Sequence, residues 1–219
     1  MIDFQLIKDS LPLLLRGTIV TLEIATLAAV IGICLGTLLG IAQTGSSRFL
    51  RWLVALYVTI VRGTPMLIQI TFAFYVLPEL GINISAFWVS VAAIGLNSAA
   101  YVSQIIKTGI RSIGKGQIEA GRVLGLTNSQ IIYYILLPQA FRVVIPALGN
   151  EFITLIKDSS LASVIGVVEL TREGSFIRSR TFDAFSVFTA VALIYLILTT
   201  TLSMAVHWFE QRMNHHVKN

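Results

Sequence analysis

Five long apolar stretches organise the chain, at about 18–43, 54–78, 86–106, 141–168 and 185–208. Each reaches the roughly 20 mainly apolar residues that a helix needs to cross a bilayer. The pattern predicts an all-α, polytopic membrane protein with about five transmembrane helices. Short polar links join most of the stretches, and one long polar connection covers 107–140. No internal repeat or low-complexity run divides the chain, so residues 1–219 are expected to form one membrane domain. The first stretch follows Asp3, Asp9 and Arg16, and no small-residue cleavage site ends it. It reads as a retained span rather than a removed signal peptide.

Two stretches carry their own interruptions. Arg62-Gly63-Thr64-Pro65 breaks the second, with Gln69 one turn further on. Pro146, Gly149 and then Lys157-Asp158-Ser159-Ser160 interrupt the fourth near its middle. Along the first, Gly32, Gly36 and Gly40 recur every fourth residue, a ridge of small residues that lets another backbone approach closely. Packing within the chain and a subunit interface both fit that ridge.

Composition agrees with the pattern: 55% of residues are hydrophobic and 12% charged, against about 25% charged in soluble domains. The single cysteine, Cys34, rules out a disulfide framework and is expected to be a small buried hydrophobe. The basic residues are distributed unevenly. Arg48, Arg51, Lys107, Arg111, Lys115, Arg122, Arg142, Arg212 and Lys218 face only Glu119 and Glu210 on one side. On the other side Lys8, Arg16, Arg172, Arg178 and Arg180 meet Asp3, Asp9, Glu79, Glu169, Glu173 and Asp183. Loops rich in Lys and Arg stay cytoplasmic, so the long connection is expected inside the cell, with the N-terminus outside and the C-terminus cytoplasmic. The basic excess is thereby explained by membrane topology, and no nucleic acid is called for.

The long connection has a local design. Ile118 to Leu124 form a short helix of two turns, with Gly125 after it as the residue that tolerates a left-handed helix end. Thr127-Asn128-Ser129-Gln130 has the spacing of a capping box that starts a second helix, and Pro138 marks a bend before the fourth span. Together they predict a rigid helical hairpin projecting into the cytoplasm.

Glu119-Ala120-Gly121, then Gly125, then Ile135, Leu137 and Pro138 resemble the "EAA" signature of ABC-importer permeases: E-A-A, three residues, G, nine residues, I-x-L-P. Gly121 stands where the signature has its second alanine, a departure expected to soften the docking helix. The segments "RGTPMLIQITFAFYVLP", "NSAAYVSQIIKTGIRSI" and "LIKDSSLASVIGVVELTREG" are similar to those of polar-amino-acid importer permeases, glutamine-type permeases above all. The resemblance implies a five-span subunit of the bacterial cytoplasmic (inner) membrane, surrounded by lipid. It would pair with itself or a paralogue, carry two copies of an ABC ATPase subunit, and receive a polar amino acid from an external solute-binding protein. It further implies that Glu119, Ala120, Gly121, Arg122, Leu124 and Gly125 couple the chain to the ATPase. The chain itself would be no enzyme and need no cofactor. Gly109 to Lys115 copy the spacing of a phosphate-binding loop, but position 116 is Gly where Ser or Thr must hold magnesium. The ATPase is therefore expected on a separate protein.

Charged and polar residues inside spans mark pathways or buried pairs. Asn97, Tyr101 and Gln104 share one helical face; they either line a cavity or bond a neighbouring helix. At the broken fourth span, Glu151 or Asp158 can accept a cargo ammonium, and Lys157, Ser159 or Ser160 can meet its carboxylate. The alternative there is a Lys157–Asp158 neighbour pair satisfied by the backbone. Arg62, Thr64 and Gln69 either gate or line a cavity, or form a kink capped by threonine. Glu23 lies one turn inside the outer end of the first span. His207, His215 and His216 suggest no metal site. Permeases of the resembling type often carry glutamate at the position of Gln104 and arginine at that of Lys107. Neutral Gln104 leans the resemblance toward glutamine or another neutral polar amino acid. A gradient-driven transporter or channel would need a membrane-crossing relay of acids or histidines, for which Glu23, Glu151 and Asp158 are too few and scattered. A membrane-embedded hydrolase would need a nucleophile or metal motif, and none is present.

Overall fold

The computed structural model describes residues 2–215. Among the described residues nine α-helices follow one another: α1 Phe4–Thr44, α2 Arg48–Gly63, α3 Met66–Glu79, α4 Ala86–Arg111, α5 Lys115–Val123, α6 Asn128–Gln130, α7 Leu137–Asp158, α8 Leu170–Thr181 and α9 Ala184–His215. A π-helical turn, Ile131–Leu136, joins α6 to α7, and a 3-10 turn, Ser159–Ile165, follows α7. The described residues contain no strand.

The glycine ridge sets the framework. A Cβ on Gly32, Gly36 or Gly40 would sit 2.6 Å from Ser98, Val102 or Ile106. The partners advance four for four, so α1 and α4 run parallel with their backbones in close contact. Of the two uses open to the ridge, packing within the chain is the one the fold makes. Cys34 lies off this ridge and is exposed, which corrects the expectation of a buried thiol. Two positions beyond Gly32 is more than half a helical turn around, on the face turned away from α4.

Parallel α1 and α4 require a return crossing between them. Helices α2 and α3 have 16 and 14 residues, about 24 and 21 Å at 1.5 Å per residue, too short to cross about 30 Å of hydrocarbon singly. Bent by 101° at Thr64–Pro65, they make one broken span between them. Helix α7 lies antiparallel to α4, since Ser98 bonds Glu151 while Gly109 meets Val144. Helix α9 then runs antiparallel to α7, with Gly149 against Val206 and Tyr195 beside Glu169. Among the described residues five crossings result, with the start of α1 and the end of α9 on opposite sides.

Three sequence expectations change. Helix α1 begins 14 residues before the predicted span, capped by Asp3, whose side chain accepts from Leu6 N–H. At 41 residues it is about 60 Å long. Its first half packs Leu14 against Leu170, Ile177, Val187 and Val191. The fourth span is helical through Pro146 and Gly149, and its α-helix ends only at Asp158. Pro146 lies within a helix long enough to absorb one missing N–H, and Gly149 serves close packing on Val206. Pro138 does not separate the hairpin from the span either. The helix widens to π geometry one turn upstream, where the proline ring would collide with the carbonyl of Tyr134, and continues into α7.

The hairpin has the caps read from the sequence. Leu126 N–H bonds Gly121 C=O and Gly125 N–H bonds Arg122 C=O, both at 3.0 Å, with Gly125 at φ +78°. This is a Schellman closure of α5. Thr127 and Gln130 then form both halves of the capping box. Gly121 is buried, and a Cβ there would lie 2.9 Å from Ile135 Cδ1. Glycine thus lets α5 seat closely on the π-helical turn.

On the opposite face, Glu169 is the N-cap of α8 and fully buried. In the sequence it counts only among the acidic residues of that side. Its carboxylate instead accepts from Arg172 N–H at 2.8 Å, Thr171 N–H at 2.9 Å, Tyr195 O–H at 3.0 Å and Thr21 O–H at 3.4 Å. Burial pushes its pKa above the ordinary carboxylate value against the pull of these donors.

Candidate functional site

The break between α2 and α3 opens onto a cavity of about 490 Å³. Arg62, Thr64, Asn97, Tyr101, Glu151 and Asp158 line it, together with Gly63, Pro65, Met66 and Thr154. Four elements meet here: the end of α2, the start of α3, the middle of α4 and the second half of α7. Helical spacing explains the α7 contribution, because Glu151, Thr154 and Asp158 stand at i, i+3 and i+7 on one face. That spacing was available in the sequence and would have found Thr154.

Gln69 holds the break together. Its amide donates to Val61 C=O at 2.7 Å, Thr64 Oγ1 at 2.8 Å and Thr64 C=O at 3.1 Å. Its carbonyl accepts from Asn97 Nδ2 at 2.9 Å. One side chain therefore ties the unwound Arg62–Pro65 segment to α4. Ser98, absent from the sequence-based candidates, donates to Glu151 Oε1 at 2.8 Å. It sits beside Asn97 but about 100° around the helix, off the Asn97–Tyr101–Gln104 stripe.

Charge is arranged across the cavity. Arg62 stands over the Tyr101 ring at 4.9 Å, while Glu151 and Asp158 lie on α7. Among the described residues no Lys or Arg nitrogen pairs with a carboxylate, the one close basic–acidic approach being His207 to Glu210 at 3.8 Å, so neither cavity carboxylate is bound to Arg62 or Lys157. Lys157 is exposed and does not line the cavity. Ser159 and Ser160 lie outside its lining too; their hydroxyls return to Ile156 C=O and Lys157 C=O at 2.8 and 2.6 Å.

Gln104 belongs to a second cavity, of about 280 Å³, one to two turns nearer the hairpin. It also donates to Gln43 Oε1 at 3.1 Å, which Lys107 Nζ approaches at 2.9 Å. Gln43 is buried at the end of α1, a position that reads as loop edge in the sequence. Glu23 is exposed in a groove beside Phe87 and Trp88, level with the first turn of α4. The side chain of His215, and His216 and Lys218 entirely, lie outside the described residues.

On the hairpin, Glu119, Ala120, Arg122, Leu124 and Gly125 are exposed and Gly121 is buried. Val123 and Leu124 are 87% and 79% exposed, an apolar tip unlike a solvated loop. Comparison with known families decides what such a chain is. Residues 32–215 match the model of the "Binding-protein-dependent transport system inner membrane component" family. The chain belongs to this family.

Among its relatives, the L-cystine transport system permease protein TcyB of Bacillus subtilis is 39% identical, across 99% of this chain and 93% of the relative. The glutamine transport system permease protein GlnP of Escherichia coli K12 is also 39% identical, across 96% and 97%. A crystal structure of an amino acid ABC transporter with histidines superposes with a TM-score of 0.92 at 38% identity, covering 97% of this chain and 99% of that one. The MetNI methionine ABC transporter, at 22% identity and a TM-score of 0.76, shares the fold. This chain is accordingly a permease component of a binding-protein-dependent ABC transport system, and its relatives are permeases rather than enzymes.

Proposed function

We propose that this permease carries a polar amino acid, glutamine before others, through the cavity between Arg62 and the Glu151–Asp158 face of α7. The observation that carries the proposal is the charge arrangement of that cavity. A zwitterion needs a donor for its carboxylate and acceptors for its ammonium, and Arg62 and the two carboxylates supply them on different helices. The relatives named for glutamine, cystine and arginine support an amino acid as cargo. Neutral Gln104 favours an uncharged side chain over a cationic one.

In this reading the chain forms one membrane domain and pairs with a second permease subunit, identical or paralogous. Two ATPase subunits grip the hairpins at Glu119 to Gly125. The basic side that holds the hairpin faces the cytoplasm, which puts the N-terminus outside the inner membrane and the C-terminus inside. An external binding protein delivers cargo near 79–85 and 169–184. Nucleotide closure of the ATPases swings the rigid hairpins, and the two permease halves alternate between outward and inward access.

The test is ATP hydrolysis in lipid vesicles by this chain co-purified with its candidate ATPase, with binding protein present and amino acids supplied singly. Glutamine is expected to stimulate hydrolysis, and Glu119→Lys or Gly125→Asp to uncouple it. Failure of any ATPase to co-purify, with uptake following an ion gradient instead, overturns the reading in favour of a secondary transporter.

A further inference from the structure

Two cavities lie in series along α4 and α7. The larger is lined from Asn97 to Tyr101 and from Asp158 to Glu151. The smaller continues from Tyr101 through Gln104 to Thr108, and from Glu151 to Val143. Both helices place the smaller one toward the hairpin. Only Arg62, Tyr101 and Glu151 line both cavities, and the Arg62 guanidinium lies over the Tyr101 ring between them.

We propose that the Arg62–Tyr101 stack is a gate separating the cargo cavity from an exit vestibule on the hairpin side, lined by Gln104 and Thr108. The inference rests on the cargo reading above for what passes through it. Arg62 is well placed to move. Its backbone is held, because Gln69 ties Val61 and Thr64 to Asn97 and Tyr57 donates to Leu96 C=O. Its long side chain, however, is exposed and pairs with no carboxylate among the described residues. Tyr101, by contrast, belongs to α4, which is locked to α1 by the glycine ridge. Rotation of the Arg62 side chain therefore carries the guanidinium off a fixed ring. A cargo carboxylate in the upper cavity competes with the ring for the same cation, so occupancy itself loosens the stack. Below the gate, the amide of Gln104 and the hydroxyl of Thr108 offer neutral hydrogen-bonding groups, which let a zwitterion leave without trapping it.

The test uses the full transporter, assembled with its ATPase, without nucleotide, in vesicles exposing the hairpin side. Cys34→Ser removes the single cysteine. A cysteine is then introduced above the stack, as Thr154→Cys, or below it, as Thr108→Cys, and a membrane-impermeant thiol reagent is added from the hairpin side. Thr108→Cys is expected to react readily in every background, which also reports an intact fold. Thr154→Cys is expected to react slowly, and several-fold faster when combined with Tyr101→Ala or with Arg62→Gln. Tyr101→Phe, which keeps the ring, should leave the slow rate unchanged. Equal Thr154→Cys rates with and without both opening substitutions, or a Thr108→Cys that the reagent never reaches, would overturn the gate. Protection of Thr154→Cys by glutamine tests the cargo reading separately: a gate effect without protection upholds the gate and sinks the cargo assignment.

Discussion

Tyr195 donates its phenolic hydrogen to Glu169 across 3.0 Å, joining the last span to the first turn of α8. Thr21 on α1 reaches the same carboxylate, so one buried acid fastens three helices on the face opposite the hairpin.

Because burial raises the Glu169 pKa from its ordinary value of 4.5, the folded state holds the proton more tightly than the unfolded chain. The resulting stabilisation is complete below about pH 4.5 and is lost as pH rises through the raised folded value. Glu169→Gln lacks this titration. The melting temperature of the parent minus that of Glu169→Gln should therefore fall between pH 4.5 and 8. A flat or rising difference in thermal unfolding would show that the hydrogen bonds, not burial, set the charge. Tyr195→Phe, which deletes one donor to the carboxylate, should cost about 1–3 kcal/mol.

The cavity separates residues that the sequence grouped together. If the proposed cargo site is right, Glu151→Gln and Asp158→Asn each remove a charge-assisted contact of about 1.5–3 kcal/mol, so the half-saturating cargo concentration should rise about 10- to 100-fold. Lys157→Ala and Ser160→Ala should leave it nearly unchanged, since neither side chain lines the cavity. Amino-acid-stimulated ATP hydrolysis measures all four. A Lys157→Ala defect as large as that of Glu151→Gln would move the cargo to the 3-10 turn.

Substitution on the ridge should be felt through the whole bundle. A Cβ at Gly36 meets Val102 Cβ at 2.6 Å and the Ala99 carbonyl at 2.8 Å, neither of which can yield without moving a helix. Gly36→Val should destabilise by about 1–3 kcal/mol or more. Gly116→Ala, facing open space, should be neutral or slightly stabilising. Tryptophan-monitored unfolding in detergent would compare them, and equal midpoints would disprove tight packing of α1 on α4.

Rigidity of the hairpin rests on two caps. Thr127→Ala removes an N-cap worth about 1 kcal/mol, and Gly125→Ala forces a side chain into the left-handed region at a cost of about 1–2 kcal/mol. Both should lower the number of cargo molecules moved per ATP while leaving the permease folded. Transport and hydrolysis measured together on one preparation check this; unchanged stoichiometry would mean that coupling does not depend on the hairpin caps.

Much of this architecture is local and therefore written in the sequence. The apolar runs set five crossings, and the Gly125 closure and the Thr127–Gln130 box set the hairpin, because backbone satisfaction at helix ends depends on residues three or four apart. Arg62-Gly63-Thr64-Pro65 announced a break for the same reason. The sequence could not give the direction each helix faces. In a bilayer, lipid tails and protein neighbours are equally apolar, so hydrophobicity alone cannot say that Gly32, Gly36 and Gly40 turn inward and Cys34 outward. Nor can it bring Arg62 beside Tyr101, or Glu169 beneath Thr21 and Tyr195. Those meetings join residues 39, 148 and 26 positions apart, and helix packing decided them.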